Sequence, residues 1–202
     1  RGDIGSTAEA YARAHLSGME TPYGPTEGVP DAITVNGYFG ADGIRPFLRL
    51  AAEEARGVFV LVRTSNPSAK DVQDFASADG ERFFEHIAKM VAMLGEGDGL
   101  VGDSGYSSLG AVVGATWPDE ARRLRELMPR QILLVPGYGA QGASAGDCAA
   151  AFKSDGTGAI VNASRSVIYA WQQDEHAGKN WKQAVGDAAQ AFAADIRQSV
   201  GL

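Results

Sequence analysis

The sequence is poor in the residues that build metal sites and covalent cross-links. Its 202 residues include one cysteine and three histidines. A lone Cys148 cannot form an intramolecular disulfide, which fits a reducing cytoplasm. His15, His86 and His176 stand far apart with no motif around them, so no metal site is expected and all three read as surface or structural side chains. No apolar run approaches the roughly 18–20 residues of a membrane span, and no secretory signal pattern is present. Positive charge is also scarce: 18 Lys and Arg face 25 Asp and Glu, a formal net charge of −7. Without a basic stripe, neither nucleic acid nor an anionic membrane is an expected partner. An anionic small molecule stays open, because a single helix N-terminus binds phosphate whatever the charge of the whole.

Alternation of apolar strands and amphipathic helices is the strongest positive signal. The chain is 45% hydrophobic, enough at this length for one sizeable core, and a single domain over residues 1–202 is expected. Five short apolar runs read as strands: "DAITVN" (31–36), "GVFVLVRT" (57–64), "LGAVVGAT" (109–116), "QILLVPG" (131–137) and "GAIVNAS" (158–164). Each leads into a helical pattern, among them "RPFLRLAAEEAR", "ERFFEHIAKMVAMLGE" and "PDEARRLRELM", the last with Pro118 in its first turn. Another helix opens the chain, from Thr7 to His15. Ser6 and Glu9 form a capping-box pattern for it and leave residues 1–5 as a loop. The Gly/Ser-rich "GEGDGLVGDSGYSS" (95–108) reads as a lid or a long loop, and Glu53, Glu54 and the Arg122, Arg123, Arg125 cluster as solvated helix faces.

Strands apolar on both faces and separated by helices indicate an α/β fold with a parallel sheet. An open doubly wound sheet and a (β/α)8 TIM barrel both fit. No G-x-G-x-x-G follows the first strand, which lowers the dinucleotide-fold option. Polar and Gly-rich residues follow every strand, and in a barrel these positions converge on one face. The barrel is therefore favoured, with the five strands as its strands 4–8 and the opening helix as the one after strand 3.

Two of those strand ends carry candidate chemistry. In "LLVPGYGAQG" (133–142), Gly137, Gly139 and Gly142 let the backbone approach a ligand, and Gln141 offers both a donor and an acceptor. In "VNASRSVIYA" (161–170), small residues precede Arg165 at a helix start, where N–H groups and a guanidinium fork suit a phosphate. Barrels frequently hold a phosphate between their last two loops. Ser65 and Asn66 follow another strand and could orient a polar ring.

With these residues placed, the chain resembles the orotidine 5'-phosphate decarboxylase family, in its longer bacterial branch, over essentially all 202 residues. The family signature is D-x-K-x-x-D-I-G-x-T. In "RGDIGST" Arg1 and Gly2 match the two spacers, Asp3 the second Asp, then Ile4 and Thr7. "VRTSNP" matches the pyrimidine-contacting loop, with Ser65 as its hydroxyl. "VPGYGAQG" matches the mobile phosphate loop, with Pro136, Gly137 and a Gln141 that bridges ring and phosphate. "NASRSVIYA" matches the phosphate turn, with Ser164 and Arg165. The signature's first Asp and its Lys fall immediately before Arg1, so the opening reads as a break inside the catalytic motif. A polypeptide of Arg1–Leu202 alone is then expected to be no competent decarboxylase.

The resemblance implies a carbon–carbon lyase of UMP biosynthesis that converts orotidine 5'-monophosphate to UMP and CO2 without metal or organic cofactor. It further implies a cytoplasmic homodimer with shared active sites, in which Asp3, Ile4 and Thr7 act in the neighbouring subunit's site. Asp3 is the catalytic residue that the resemblance assigns here. Ile4, Thr7, Ser65, Pro136, Gly137, Gln141, Ser164 and Arg165 are its substrate-binding residues. The alternatives are a related sugar-phosphate decarboxylase or aldolase, and a barrel that binds a phosphate ligand without catalysis.

Overall fold

Five apolar segments pair side by side in the order in which they occur in the chain, and that order decides the architecture. The structure is a computed structural model that describes residues 2–18, 20–25, 28–139 and 141–202. Helix α1 (Gly5–Leu16) comes first and buries Ala8, Ala12 and Leu16. A small antiparallel ribbon of β1 (Glu20–Thr21) and β2 (Gly24–Pro25) follows. The main sheet consists of β3 (Ala32–Asn36), β4 (Gly57–Arg63), β5 (Ser107–Val113), β6 (Gln131–Val135) and β7 (Ala159–Val161). Its order is β3-β4-β5-β6-β7, and every pairing is parallel. Helix α2 (Ala41–Glu53) links β3 to β4. Helices α3 (Lys70–Gln73) and α4 (Phe83–Gly95) lie between β4 and β5. Helix α5 (Pro118–Leu127) joins β5 to β6, and α6 (Ala145–Ala149) joins β6 to β7. Helices α7 (Arg165–Ile168) and α8 (Trp181–Val200) follow.

A doubly wound sheet reverses its strand order at a switch point. Here there is no reversal, so the five strands form an arc of a (β/α)8 barrel with β3 and β7 at its edges. Along β4, Val58, Val60 and Val62 are buried at the two-residue spacing that points one face toward the helix layer. Leu109, Ala111 and Val113 of β5 and Leu133 and Val135 of β6 continue that face. The helices answer at their own period. In α2, Ile44, Phe47, Leu48 and Ala51 are buried, and in α4, Phe84, Ile87, Ala88 and Val91, both at i, i+3, i+4, i+7. On the other face the Phe59 ring lies over Gly110, its partner on β5. A Cβ at Gly110 would stand 2.6 Å from that ring and 2.5 Å from the Ile132 carbonyl oxygen.

Several local expectations need correction. The opening helix begins at Gly5 with Ile4 as N-cap, so Ser6 is inside it and caps nothing. The Glu9 carboxylate is engaged by Arg13 at 3.1 Å and Arg49 at 3.0 Å, so it does not complete a capping box. Strand β5 spans 107–113 rather than 109–116. Ser107 pairs with Gln131, and beyond Val113 the chain turns as Trp117 N–H donates to the Gly114 carbonyl. The end of the Gly/Ser-rich stretch is therefore strand. Helix α2 starts at Ala41, after Gly40 at φ +72°, and carries Pro46 inside it. Arg1 and Ala140 lie outside the described residues.

Candidate active site

The ends of β4 to β7 meet in one continuous strip. Gly114 N–H donates to the Arg63 carbonyl at 2.7 Å, which draws the end of β5 against the loop after β4. A Cβ on Gly114 would come within 3.0 Å of Ser65 Cβ and of its backbone nitrogen. A side chain there would press on the Ser65 backbone, so glycine suits this close approach. Ala115 N–H donates to the Pro136 carbonyl at 2.8 Å, and Asn162 N–H to the Val135 carbonyl at 3.4 Å. Ser65, Pro136 and Asn162 are thereby held on neighbouring strand ends.

The Gly-rich loop folds back over this strip. Gly137, Gly139 and Gly142 all have positive φ, at +116°, +66° and +92°. Gln141 Oε1 lies 3.2 Å from where a Gly137 Cβ would be, so its carboxamide is folded toward the end of β6. Gly139 approaches Ser166, whose hydroxyl oxygen would lie 3.7 Å from a Cβ there. The loop therefore rests against α7, the single turn that begins with Arg165. Ser164 is the N-cap of that turn, and Ser164 and Arg165 are both exposed. Four residues carry little macrodipole, so charge attraction at this point comes from the Arg165 guanidinium itself. At its base the loop is tied to α8, where the Tyr138 hydroxyl donates to Asp195 Oδ2 at 2.7 Å and the Tyr138 ring meets Phe192 at 4.8 Å.

The remaining candidates lie at the start of α1. Asp3 and Ile4 precede α1, Ile4 is 48% exposed, and Thr7 is half-buried in the first turn. Asp3 lines a groove with Glu9, Asp42, Arg45 and Arg49 along α1 and α2. The structure thus brings Ser65, Pro136, Gly137, Gln141, Ser164 and Arg165 to one set of strand ends and places Asp3, Ile4 and Thr7 at the start of α1, where the neighbouring Gly2 meets Phe39 beyond the end of β3.

Among the described residues no group of three or more His, Cys, Asp or Glu is arranged to hold a metal ion. Cys148 is buried, and burial followed by the nearby Asp147 charge pushes its thiol up to about 11, which sets it aside as a nucleophile.

Sequence reasoning missed two buried arginines. Arg63, at the end of β4, is fully buried between the rings of Trp117 and Phe84, 4.3 and 4.8 Å from their centres. Asp74 at 2.7 Å and Glu120 at 3.6 Å balance its charge. Arg125 was expected on a solvated face and is instead buried. Its guanidinium donates to the carbonyls of Gly158 at 2.9 Å, Gln131 at 2.6 Å and Met128. The signal was present: Ala121, Leu124 and Met128 are buried too, and Arg125 falls on their stripe.

Comparison with known proteins gives consistent matches. A family model described as "Orotidine 5'-phosphate decarboxylase / HUMPS family" matches residues 1–179. An orotidine 5'-phosphate decarboxylase of Deinococcus radiodurans is 46% identical over 187 residues, covering 93% of this chain and 63% of that protein. One from Rhodopirellula baltica is 44% identical over 189 residues, covering 92% and 61%. The chain thus spans less than two thirds of these curated relatives. A solved Streptomyces avermitilis chain superposes with a TM-score of 0.75 at 36% identity, over 100% of this chain and 64% of that one. Leishmania donovani UMP synthase superposes with a TM-score of 0.72 at 31% identity, over 98% and 38%.

Proposed function

The chain belongs to the orotidine 5'-phosphate decarboxylase / HUMPS family, and on that basis we propose that it forms the substrate-gripping part of a cofactor-independent orotidine 5'-monophosphate decarboxylase. The observation that carries this reading is the strip itself. A hydroxyl and amide end at Ser65 and Asn66 is joined through Gly114 and Pro136 to a Gly-rich loop that rests on the turn bearing Arg165. That layout suits a ligand with a polar ring at one end and a phosphate at the other.

In this reading residues 1–202 are one domain, the C-terminal three quarters of a barrel. Arg165 and the backbone of the turn at Ser164 hold the phosphate, Gln141 spans phosphate and ring, and Ser65 orients the pyrimidine. Pro136 and Gly137 form the floor at the end of β6. Loss of CO2 leaves negative charge on a vinylic ring carbon that has no neighbouring electron sink. Fixed charges in a water-poor site must therefore stabilise the transition state. The family motif places a Lys directly before Arg1 for that charge and for the returning proton, and Asp3 holds the ammonium in place. Binding energy from the remote phosphate closes the Gly-rich loop and so contributes to the rate as well as to affinity.

Asp3, Ile4 and Thr7 serve a second subunit in a cytoplasmic homodimer. That assignment rests on the family motif, whose second Asp, Ile and Thr are matched by Asp3, Ile4 and Thr7. The test is turnover. Protein in which the motif's Asp-x-Lys precedes Arg1 should convert orotidine 5'-monophosphate to UMP, followed by loss of substrate absorbance. Mixing inactive Asp3→Ala protein with inactive Lys→Ala protein should restore activity, up to about half of one dimer's by symmetry. No turnover by the intact protein contradicts the decarboxylase reading. Turnover without complementation, with mixed dimers shown to form, contradicts the shared site.

A further inference from the structure

The loop that carries Ser65 is held from behind by a set of side chains to which the proposed reaction assigns no part. Thr64 has every polar group engaged. Its N–H donates to Gln73 Oε1 at 3.0 Å, and its carbonyl accepts from Trp117 Nε1 at 3.0 Å. Its hydroxyl accepts from Gln73 Nε2 at 2.8 Å and donates to Asn66 Oδ1 at 2.6 Å. Gln73 therefore grips Thr64 at two points and, through the hydroxyl, sets the orientation of the Asn66 amide. With Oδ1 taken by Thr64, the Asn66 NH2 group is left to donate elsewhere.

Gln73 is in turn held in place. It ends α3, and the next residue, Asp74, contacts the buried Arg63 guanidinium at 2.7 Å. Arg63 is the last residue of β4 and directly precedes Thr64. The chain thus leaves β4, runs through Ser65 and Asn66 into α3, and returns to its own starting point by an ion pair and a two-point amide clamp. Trp117, the N-cap of α5, closes the cluster, with the Arg63 guanidinium stacked on its ring. Such a closed loop has little conformational freedom left to lose when a ligand binds.

We propose that Gln73 is a positioning residue for base recognition: its carboxamide fixes Thr64 and Asn66, and so presents Ser65 and the Asn66 NH2 group to a planar ring bearing carbonyl acceptors. Its side chain acts only through Thr64. The inference rests on the nucleotide-site reading, but its test uses binding, so a failure of the decarboxylation reading is seen separately as UMP bound without turnover of orotidine 5'-monophosphate.

The experiment compares UMP with ribose 5-phosphate, which has the phosphate and sugar without the ring. Titration into wild type and Gln73→Leu should show UMP binding weakened about five- to tenfold and ribose 5-phosphate unchanged. Gln73→Glu keeps an acceptor for the Thr64 N–H and should recover part of the loss. Thr64→Val, which removes the hydroxyl link to Asn66 with little change of volume, should reproduce the loss. Unchanged UMP affinity in Gln73→Leu and Thr64→Val overturns the proposal. So does an equal loss for both ligands, because a general loosening of the site would weaken the phosphate grip as well.

Discussion

Arg122 and Arg125 lie one turn apart on α5 in opposite environments. Arg122 is exposed and paired at 2.6 Å with Asp119, itself exposed. Such a pair contributes little, because solvent screens it and two long side chains must be ordered to make it. Arg125 is buried, and burial lowers its pKa from the ordinary guanidinium value while three backbone carbonyls take its donors. Arg125→Met should therefore cost about 2–4 kcal/mol of stability, since those buried carbonyls lose their donor. Arg122→Ala should stay within about 0.5 kcal/mol. Urea unfolding of both variants checks this, and equal effects would contradict the structural assignment of Arg125. At this scale the sequence was only partly legible. Arg165 and Gln141 stood out because they follow strand ends, where polar residues collect in a barrel. Arg63 did not, because its burial depends on Phe84 in the first turn of α4 and Trp117 at the N-cap of α5, both far along the chain.

The element that most needs control is the Gly-rich loop. Three glycines at positive φ make it pliable, and the contact between Tyr138 and Asp195 ties its base to α8. Burial pushes the Tyr138 phenol up from 10 to about 12, and the hydrogen bond to Asp195 adds to the rise. The folded state thus favours the neutral phenol. Its stabilising contribution is complete below about pH 10, the value for an unfolded tyrosine, and is lost as the pH climbs toward 12. Tyr138→Phe removes the titrating group. Unfolding followed across that window should show wild type losing stability faster than the variant, and parallel profiles would contradict the tether. The five main strands and the longer helices were readable from period alone, but their ends, the short β1–β2 ribbon and α3 were not. The start of β5 at Ser107 is set by Gln131 on the neighbouring strand, and the start of α1 at Gly5 by an Ile4 whose extended backbone ends the loop. Both depend on geometry that a local pattern does not contain.

For the molecule as a whole, strand order carries the argument. Sequential parallel pairing brings each strand's C-terminal end to the same rim, so loops far apart in sequence become neighbours. The sequence pattern allowed both a doubly wound sheet and a barrel, and pairing without reversal decides between them. The same rim explains why most of the candidate site could be listed residue by residue before any contact was known. It also explains why Asp3, Ile4 and Thr7 could be named only by family resemblance, since nothing in their own spacing links them to the strip. The central claim is that the rim from Ser65 to Arg165 binds a nucleoside monophosphate with its phosphate on Arg165. Its most direct test is titration of UMP and of uridine into wild type and Arg165→Ala. A charge-assisted fork contributes about 1.5–3 kcal/mol, so UMP binding should fall about ten- to hundredfold while uridine binding stays unchanged. Equal losses for the two ligands, or no loss for either, would contradict the account.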